Sequence, residues 1–193
     1  MSRLRKSLIV ALIVLFVGVS AVAAQEPTAS LPAQYSATAI GQSGALTGKT
    51  FGMNIYVDQT SSNGEVEELL GILQSKGQDA LVSALEKLKD KGRVAPTGST
   101  GTGMKVITIR PTADGGQHIV LATNRWITFK ELIYGTRTRD YPIGIVVLNV
   151  DKDGTGTGSF APLCKVKFNK AKELVIEHYG QKPLRLANVK LEK

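Results

Sequence analysis

The stretch VITIRPTADGGQHIVLAT, residues 106–123, contains two β-strand patterns separated by a turn. Residues 106–110 and 118–123 are rich in β-branched and aliphatic side chains, which favour strands. Between them, Asp114, Gly115 and Gly116 are residue types that adopt the backbone conformations of tight turns. Because a short turn joins strands that run antiparallel, this stretch predicts an antiparallel meander and not the βαβ units of a parallel sheet.

Strand patterns of the same kind recur on both sides of this stretch. Phe51, Met53, Ile55 and Val57 alternate with more polar residues, which is the pattern of a half-buried strand. The predicted strands are residues 35–40, 51–57, 106–110, 118–123, 126–129, 145–150, 159–168, 174–178 and 184–191. We therefore predict an α+β fold that is mainly β, with about eight or nine antiparallel strands. We expect the strands to form a barrel or a curved sandwich, since closure of a sheet removes its exposed edges.

Residues 63–91 follow a helical period instead and interrupt the strands after the second one. Ser62 or Asn63 can cap the start, and Gly77 and Gly92 are predicted to break and to end the helical segment. Two sets of apolar residues recur at helical spacing: Val66, Leu69, Leu70 and Leu73, and then Leu81, Ala84, Leu85 and Leu88. We predict a helical pair, or one helix broken near Gly77, whose apolar stripes cover a face or an end of the sheet. The alternative is that a stripe binds a partner or a membrane.

The first 24 residues have the pattern of a Sec-type secretory signal peptide. Arg3, Arg5 and Lys6 precede an apolar run at residues 8–17, and small residues follow at 21–24. The pattern divides the chain into a signal peptide (1–24), a flexible spacer (25–34) and a single β-rich domain (35–193). We therefore expect a secreted or periplasmic protein without a stable membrane anchor after cleavage. The alternative is a leader retained as an anchor, although the apolar run is shorter than the roughly 20 residues that span a bilayer.

The net charge of the chain limits the classes of molecule that this protein is expected to bind. The formal net charge is +8, of which the leader supplies three, and this leaves +5 for the chain that follows. Basic residues are spread along the chain, so we expect a solvated basic surface with a weak attraction for acidic partners and no nucleic-acid site.

The single cysteine, Cys164, excludes an internal disulfide. Its place on the apolar face of a predicted strand indicates a buried, inert thiol.

Motifs for metals, cofactors and catalysis are missing or incomplete. His118 and His178 lack the spacing of a metal site, and we interpret both as structural. Residues 151–159, DKDGTGTGS, resemble the first half of a calcium loop, but Pro162 stands where the bidentate glutamate belongs, so a hairpin turn is predicted. Residues 96–105, PTGSTGTGMK, lack the order of a phosphate-binding loop and are predicted to be a flexible connection between strands. We therefore predict no metal, no cofactor and no enzymatic activity.

The most distinctive polar segment is YGTRTRDYP, residues 134–142. Arg137 and Arg139 alternate with threonines and are followed by Asp140 and Tyr141. Pairing of Arg137 or Arg139 with Asp140 or another carboxylate, which would only structure the loop, is the favoured interpretation, because ion pairs at a surface or rim are common. Because guanidinium groups also bind carboxylates and phosphates bidentately, these four residues are the first candidates in the sequence for a ligand-binding rim for an anion.

Several segments resemble an uncharacterised family of secreted bacterial single-domain proteins. They are YSATAIGQSG (35–44), QDALVSALEKLKDKGRVAPTGSTGTGMKVI (78–107), TRTRDYPIGIVVLNVDKDGTGTG (136–158), KFNKAKELVIEHYG (167–180) and PLRLANVK (183–190). The resemblance covers nearly the whole predicted domain. It implies a stable exported domain, and it carries no catalytic residues to this chain because the family has no assigned activity.

The sequence favours binding over catalysis. A barrel of about eight strands holds one small ligand in lipocalin-like folds, so we expect a non-enzymatic barrel that binds a small apolar or anionic ligand. The first alternative is a structural or protein-interaction subunit of the cell envelope. A further alternative is a hydrolase that uses Asp140, His178 or Cys164, but the sequence contains no motif that favours it.

Overall fold

The computed structural model describes residues 31–124, 141–178 and 182–192. This part of the chain forms ten strands, two α-helices and a short 3₁₀ helix at Gly44–Leu46. The strands are β1 (Ala33–Ile40), β2 (Thr50–Val57), β3 (Gly92–Pro96), β4 (Thr102–Met104), β5 (Val106–Pro111), β6 (Gln117–Thr123), β7 (Ile143–Val150), β8 (Thr155–Phe168), β9 (Leu174–His178) and β10 (Leu184–Glu192). The helices are α1 (Asn63–Lys76) and α2 (Gln78–Glu86).

The strands form one antiparallel sheet that closes almost completely into a barrel. Their order is β4-β3-β2-β1-β10-β8-β7-β6-β5, and β9 pairs with β8 outside this path. The order follows the chain around the barrel, because β1 pairs with β10 and the two ends of the path, β4 and β5, are consecutive strands. At their junction the Lys105 N–H donates to the Ala122 carbonyl at 2.9 Å. The predicted mainly β fold, with a barrel of about nine antiparallel strands, is confirmed.

Alternate residues of the strands fill the barrel interior. In β1, Ala33, Tyr35, Ala37 and Ala39 are buried, while the residues between them are partly exposed. The most completely buried interior side chains are Tyr35, Met53, Ile55, Val57, Met104, Ile107, Ile119, Leu121, Leu148, Phe160 and Leu186. Side chains that line a cavity wide enough for a ligand keep accessible area, and these keep almost none. The interior is therefore a packed core, in which each large apolar side chain contributes about 1.5–3 kcal/mol by its burial.

The long strand β8 takes part in two sets of pairs. Residues 155–160 lie between β7 and β10, whereas residues 164–168 pair with β9. The register of the β7–β8 pair shifts between Ile143 and Ile145, next to the point where the pairing with β9 begins. The end of β8 therefore continues beyond its barrel pairs and forms, with β9, a two-stranded extension.

The helical pair covers the outer face of this part of the sheet, as predicted. The Ser62 hydroxyl caps α1 by accepting the Glu65 N–H at 3.2 Å, and Gly77, with a φ of 81°, separates the two helices. At the start of α2, Gln78 Oε1 accepts the Val166 N–H at 2.9 Å and ties the helix to β8. The residues buried between helices and sheet are Leu69, Leu73, Leu81, Leu85, Ile143, Ile145, Ala161, Cys164 and Val166.

Several predicted boundaries are wrong. Residues 33 and 34 belong to β1, which therefore starts inside the predicted spacer. The helical segment ends at Glu86 and not at residue 91, and Gly92 begins β3 instead of ending a helix. Residues 96–105 are not one loop, because β4 lies within them; pairing with β3 outweighs the low strand propensity of so short a glycine-rich segment. The predicted strand at residues 126–129 lies outside the described residues.

Lys105, at the end of that segment, is buried where the barrel closes. Its ammonium group donates to the Leu88 carbonyl at 2.6 Å and lies 2.8 Å from Asp90 Oδ1. The Lys105 side chain is 5% exposed and that of Asp90 is 39% exposed. One side chain therefore joins the β4–β5 junction to the connection that follows α2.

Candidate functional site

Tyr141 is the one residue of the predicted anion rim that the structure describes; Arg137, Arg139 and Asp140 lie outside the described residues. Tyr141 stands two residues before β7 and is partly buried. Its hydroxyl group donates to Glu177 Oε1 at 3.2 Å. The Lys165 ammonium lies 4.5 Å from the centroid of its ring, within the range of a cation–π interaction.

Strand register brings these side chains together. Lys165 and Glu177 are directly opposite each other in the β8–β9 pair, and Lys167 follows Lys165 on the same face of β8. The Lys167 ammonium lies 3.1 Å from Glu177 Oε2, so Glu177 contacts both the lysine and the tyrosine. We call Tyr141, Lys165, Lys167 and Glu177 the Tyr141 surface.

The Tyr141 surface carries two ammonium groups and one carboxylate. Lys167, through its hydrogen bond and its charge, lowers the pKa of Glu177, which therefore remains ionised at neutral pH. An ammonium group has three N–H donors, and Glu177 accepts one of those of Lys167. The surface thus has a net charge of one positive unit and free donor capacity, a combination that suits a carboxylate or phosphate group.

The amino-acid sequence does not connect the two lysines with Tyr141. The strand pattern does place Lys165 and Lys167 on one face of β8, opposite the face of Cys164 and Val166. The contact with Tyr141 depends on where β7 begins relative to β8, and that register cannot be obtained from either strand alone.

Cys164 and His178 lie opposite each other in the β8–β9 register. The thiol is fully buried and donates to the Ile143 carbonyl at 3.3 Å. Burial raises the pKa of Cys164 to about 12 and lowers the pKa of His178 below its usual value. Both side chains are therefore neutral at neutral pH, and the pair lacks the thiolate that a cysteine nucleophile requires. The prediction of a buried thiol is confirmed.

The segment that resembles a calcium loop is a hairpin turn between β7 and β8, as predicted. Asp151 Oδ1 accepts the N–H groups of Asp153 at 3.0 Å and Thr155 at 2.9 Å, and Oδ2 accepts the Thr155 hydroxyl at 2.8 Å. These bonds lower the pKa of Asp151, so its charge is used to shape the turn. Across the described ranges, no group of three or more His, Cys, Asp or Glu side chains has an arrangement that could hold a metal ion.

Of the two histidines, His118 faces outwards on β6. Its Nδ1 lies 2.7 Å from Asn149 Oδ1, and the register of β6 and β7 places the two residues opposite each other. This cross-strand contact on the barrel wall is the structural role that the sequence indicated for His118.

Comparison with known proteins assigns this chain to no family. No family model matches the chain, and neither a curated protein nor a solved structure matches it. The resemblance of residues 35–190 to a secreted family therefore stays a prediction. Neither helix in the described part of the chain has the length and hydropathy of a membrane-spanning helix.

Proposed function

We propose that this protein is an exported, non-enzymatic binding protein that recognises an anionic ligand at the Tyr141 surface. The observation that carries the proposal is the position of Tyr141, which lies against Lys165 and hydrogen-bonds Glu177, the partner of Lys167. The packed interior of the barrel supports a ligand on the outer surface rather than within a lipocalin-like cavity. Two lysines that alternate on one strand face can approach the same carboxylate or phosphate group.

The ligand proposal is tested by titration of the folded domain with succinate and with inorganic phosphate, followed by the NMR shifts of residues 141, 165 and 167. We expect saturable shifts at these positions. Replacement of both Lys165 and Lys167 by alanine removes two charged donors and should weaken binding about tenfold. The matched control is the Lys87→Ala, Lys89→Ala double variant, which makes the same charge change at exposed positions near the end of α2.

Two results would contradict this assignment. One is equal affinity of the Lys165/Lys167 variant and its matched control, which would mean that only the overall positive charge attracts the anion. The other is the lack of any saturable shift with either anion. The Arg137→Ala, Arg139→Ala double variant is measured in parallel, because the predicted rim also includes these arginines and predicts a further loss of affinity.

The export part of the proposal rests on residues 1–24 alone. Expression of the full chain in a bacterial host with Sec export should give a mature protein that begins at Gln25, because cleavage is expected after the small residues 21–24. Intact mass of the protein from periplasmic and culture fractions measures this directly. An unprocessed chain in the membrane fraction would favour the retained anchor instead.

A protein-interaction role in the cell envelope is the second candidate. Among the described strands, β9 pairs with β8 and with no other strand, so one of its edges presents backbone donors and acceptors that can pair with an added strand. Capture of a defined envelope protein by the wild-type chain, with loss of capture after Ile176→Pro in β9, would favour this role over binding of a small anion.

A further inference from the structure

The carboxylate of Glu177 already occupies part of the Tyr141 surface. The Tyr141 hydroxyl donates to its Oε1 at 3.2 Å, and the Lys167 ammonium donates to its Oε2 at 3.1 Å. Each carboxylate oxygen therefore accepts a hydrogen bond from a group that lines the proposed anion site. The surface thus shows how a carboxylate is held there, because it holds one that belongs to the protein itself.

The position of Glu177 is set by the register of β8 and β9. Glu177 lies opposite Lys165, and Val175 lies opposite Lys167, so the carboxylate reaches diagonally across the strand pair to the second lysine. The hydrogen bond and the charge of Lys167 lower the pKa of Glu177 most, and Tyr141 and Lys165 add to this effect. The strand pair therefore keeps a charged carboxylate beside the two ammonium groups that would attract an external anion.

The contact between Glu177 and Lys167 can open at little cost. Their side chains are 44% and 61% exposed, so water can solvate both charges when the two groups separate. The ion pair of Lys105 and Asp90 is different, because the lysine of that pair is buried. An ion pair as exposed as that of Glu177 favours its closed state by at most about fivefold. Glu177 is therefore a weakly held occupant that an external carboxylate or phosphate can replace.

On the basis of the function proposed above, we infer that Glu177 is an internal competitor for the anion site, an autoinhibitory carboxylate that the ligand displaces. A ligand that replaces it takes over the Tyr141 hydroxyl and the Lys167 ammonium. The ligand therefore needs two acceptor oxygens with the spacing found in a carboxylate or phosphate group. Its apparent dissociation constant is the intrinsic constant divided by the fraction of molecules in which Glu177 has left the site.

The test is a titration with succinate, followed by the NMR shifts of residues 165 and 167, of a variant in which Glu177→Gln removes the competing charge and keeps the size of the side chain. We expect this variant to bind succinate about fivefold more tightly than the wild-type protein. The matched control is Glu173→Gln, at an exposed position before β9, where Glu173 Oε2 accepts the Asn169 side-chain amide. The control makes the same change in net charge and should alter the affinity less than about twofold.

Tyr141→Phe separates displacement of Glu177 from a general effect of charge. Phenylalanine keeps the ring that Lys165 lies against and removes only the hydroxyl group. In the wild-type background the hydroxyl exchanges the Glu177 carboxylate for that of the ligand, so its loss should change the affinity less than about twofold. In the Glu177→Gln background the hydroxyl gains a charged acceptor on binding, and its loss should weaken binding about fivefold.

Three results would overturn the role of Glu177. Equal affinities of the Glu177→Gln and Glu173→Gln variants would show that Glu177 does not compete for the site. Weaker binding by Glu177→Gln than by the wild type would show that the carboxylate positions the lysines instead, and an equal effect of Tyr141→Phe in both backgrounds would show that only charge is removed. In these three cases the wild type still binds succinate, so the proposed anion site stands. A lack of saturable binding by the wild type and by every variant would overturn both the site and the competitor.

Discussion

At the scale of single residues, Lys105 connects the closing junction of the barrel to the segment after α2. The side chain of its partner Asp90 is partly exposed to solvent, whereas that of Lys105 is buried. Removing one partner therefore has a different cost from removing the other. Removing the carboxylate leaves a buried cation with one carbonyl partner, but removing the cation leaves a carboxylate that water can solvate.

We therefore expect Asp90→Asn to lower the free energy of unfolding by about 2–3 kcal/mol. Lys105→Met keeps the apolar length of the side chain and should cost less than about 1.5 kcal/mol. Urea unfolding of both variants measures the difference. A larger loss for Lys105→Met than for Asp90→Asn would contradict this description of the ion pair.

Cys164 gives a pH dependence with a definite sign. In the folded protein its pKa is raised from 9.0 to about 12, whereas the unfolded chain releases the proton near the ordinary value. The unfolded state then binds fewer protons, so the stability that this group contributes is complete below pH 9 and is lost as the pH rises towards 12.

Between pH 9 and 12 the free energy of unfolding should decrease as the pH rises, and this thiol should contribute up to about 1.4 kcal/mol per pH unit to the decrease. Cys164→Ala should remove this contribution, even though the substitution itself costs some packing energy. The raised pKa of Tyr35 affects the wild-type protein and the Cys164→Ala variant in the same way, so its contribution cancels when their pH profiles are compared. Identical pH profiles for the two proteins would show that the buried thiol does not titrate in this way.

At the scale of elements, Gly77 sets the geometry of the helical pair. It has a φ of 81° and a ψ of −175°, a backbone conformation that residues with a Cβ atom adopt at a cost. Gly71 lies in the middle of α1, and a Cβ atom added there would meet nothing within 4 Å beyond its chain neighbours and the backbone of its own helix, so ordinary helix propensity applies to it.

Gly77→Ala should therefore destabilise the domain by at least about 1 kcal/mol. The control, Gly71→Ala, should stabilise it by about 0.5–1 kcal/mol, since alanine costs less entropy than glycine in a helix. Thermal melts of the two variants are expected to shift in opposite directions. Shifts of the same sign would mean that the break at Gly77 can be relaxed without cost.

Local sequence patterns predict some elements of this fold and miss others. Alternation in residues 51–57 and the leucine spacing in α1 and α2 are strong local signals, and the corresponding elements are present. β3 and β4 have no such signal, because they are short and contain glycine, threonine and proline. β3 forms a strand because β2 offers it an edge to pair with, as in the opposition of Val94 and Ile55, and β4 then pairs with β3.

At the scale of the whole molecule, the sequence predicts closure of the sheet but not its register. Tyr141 stands out in the sequence because its segment is rich in arginine, yet its partners Lys165 and Glu177 come from strands that only the fold brings next to it. The packed interior follows from the sizes of side chains contributed by nine strands, and no single strand shows whether they leave a cavity. Local sequence patterns do not specify the contacts between segments that are distant in sequence, and those contacts set the register and the packing of the barrel.

The pairing of β1 with β10 makes the strand order circular. Gln34 lies opposite Glu192 and Tyr35 lies opposite Leu191, so the start of β1 and the end of β10 are neighbours. A permuted chain that began in the turn between β3 and β4, with its old ends joined by a short linker, would retain every strand pair of the barrel except the short β3–β4 pair at the cut. For the same reason, a tag or a second domain attached before Leu31 would emerge beside one attached after Glu192, at the same end of the barrel.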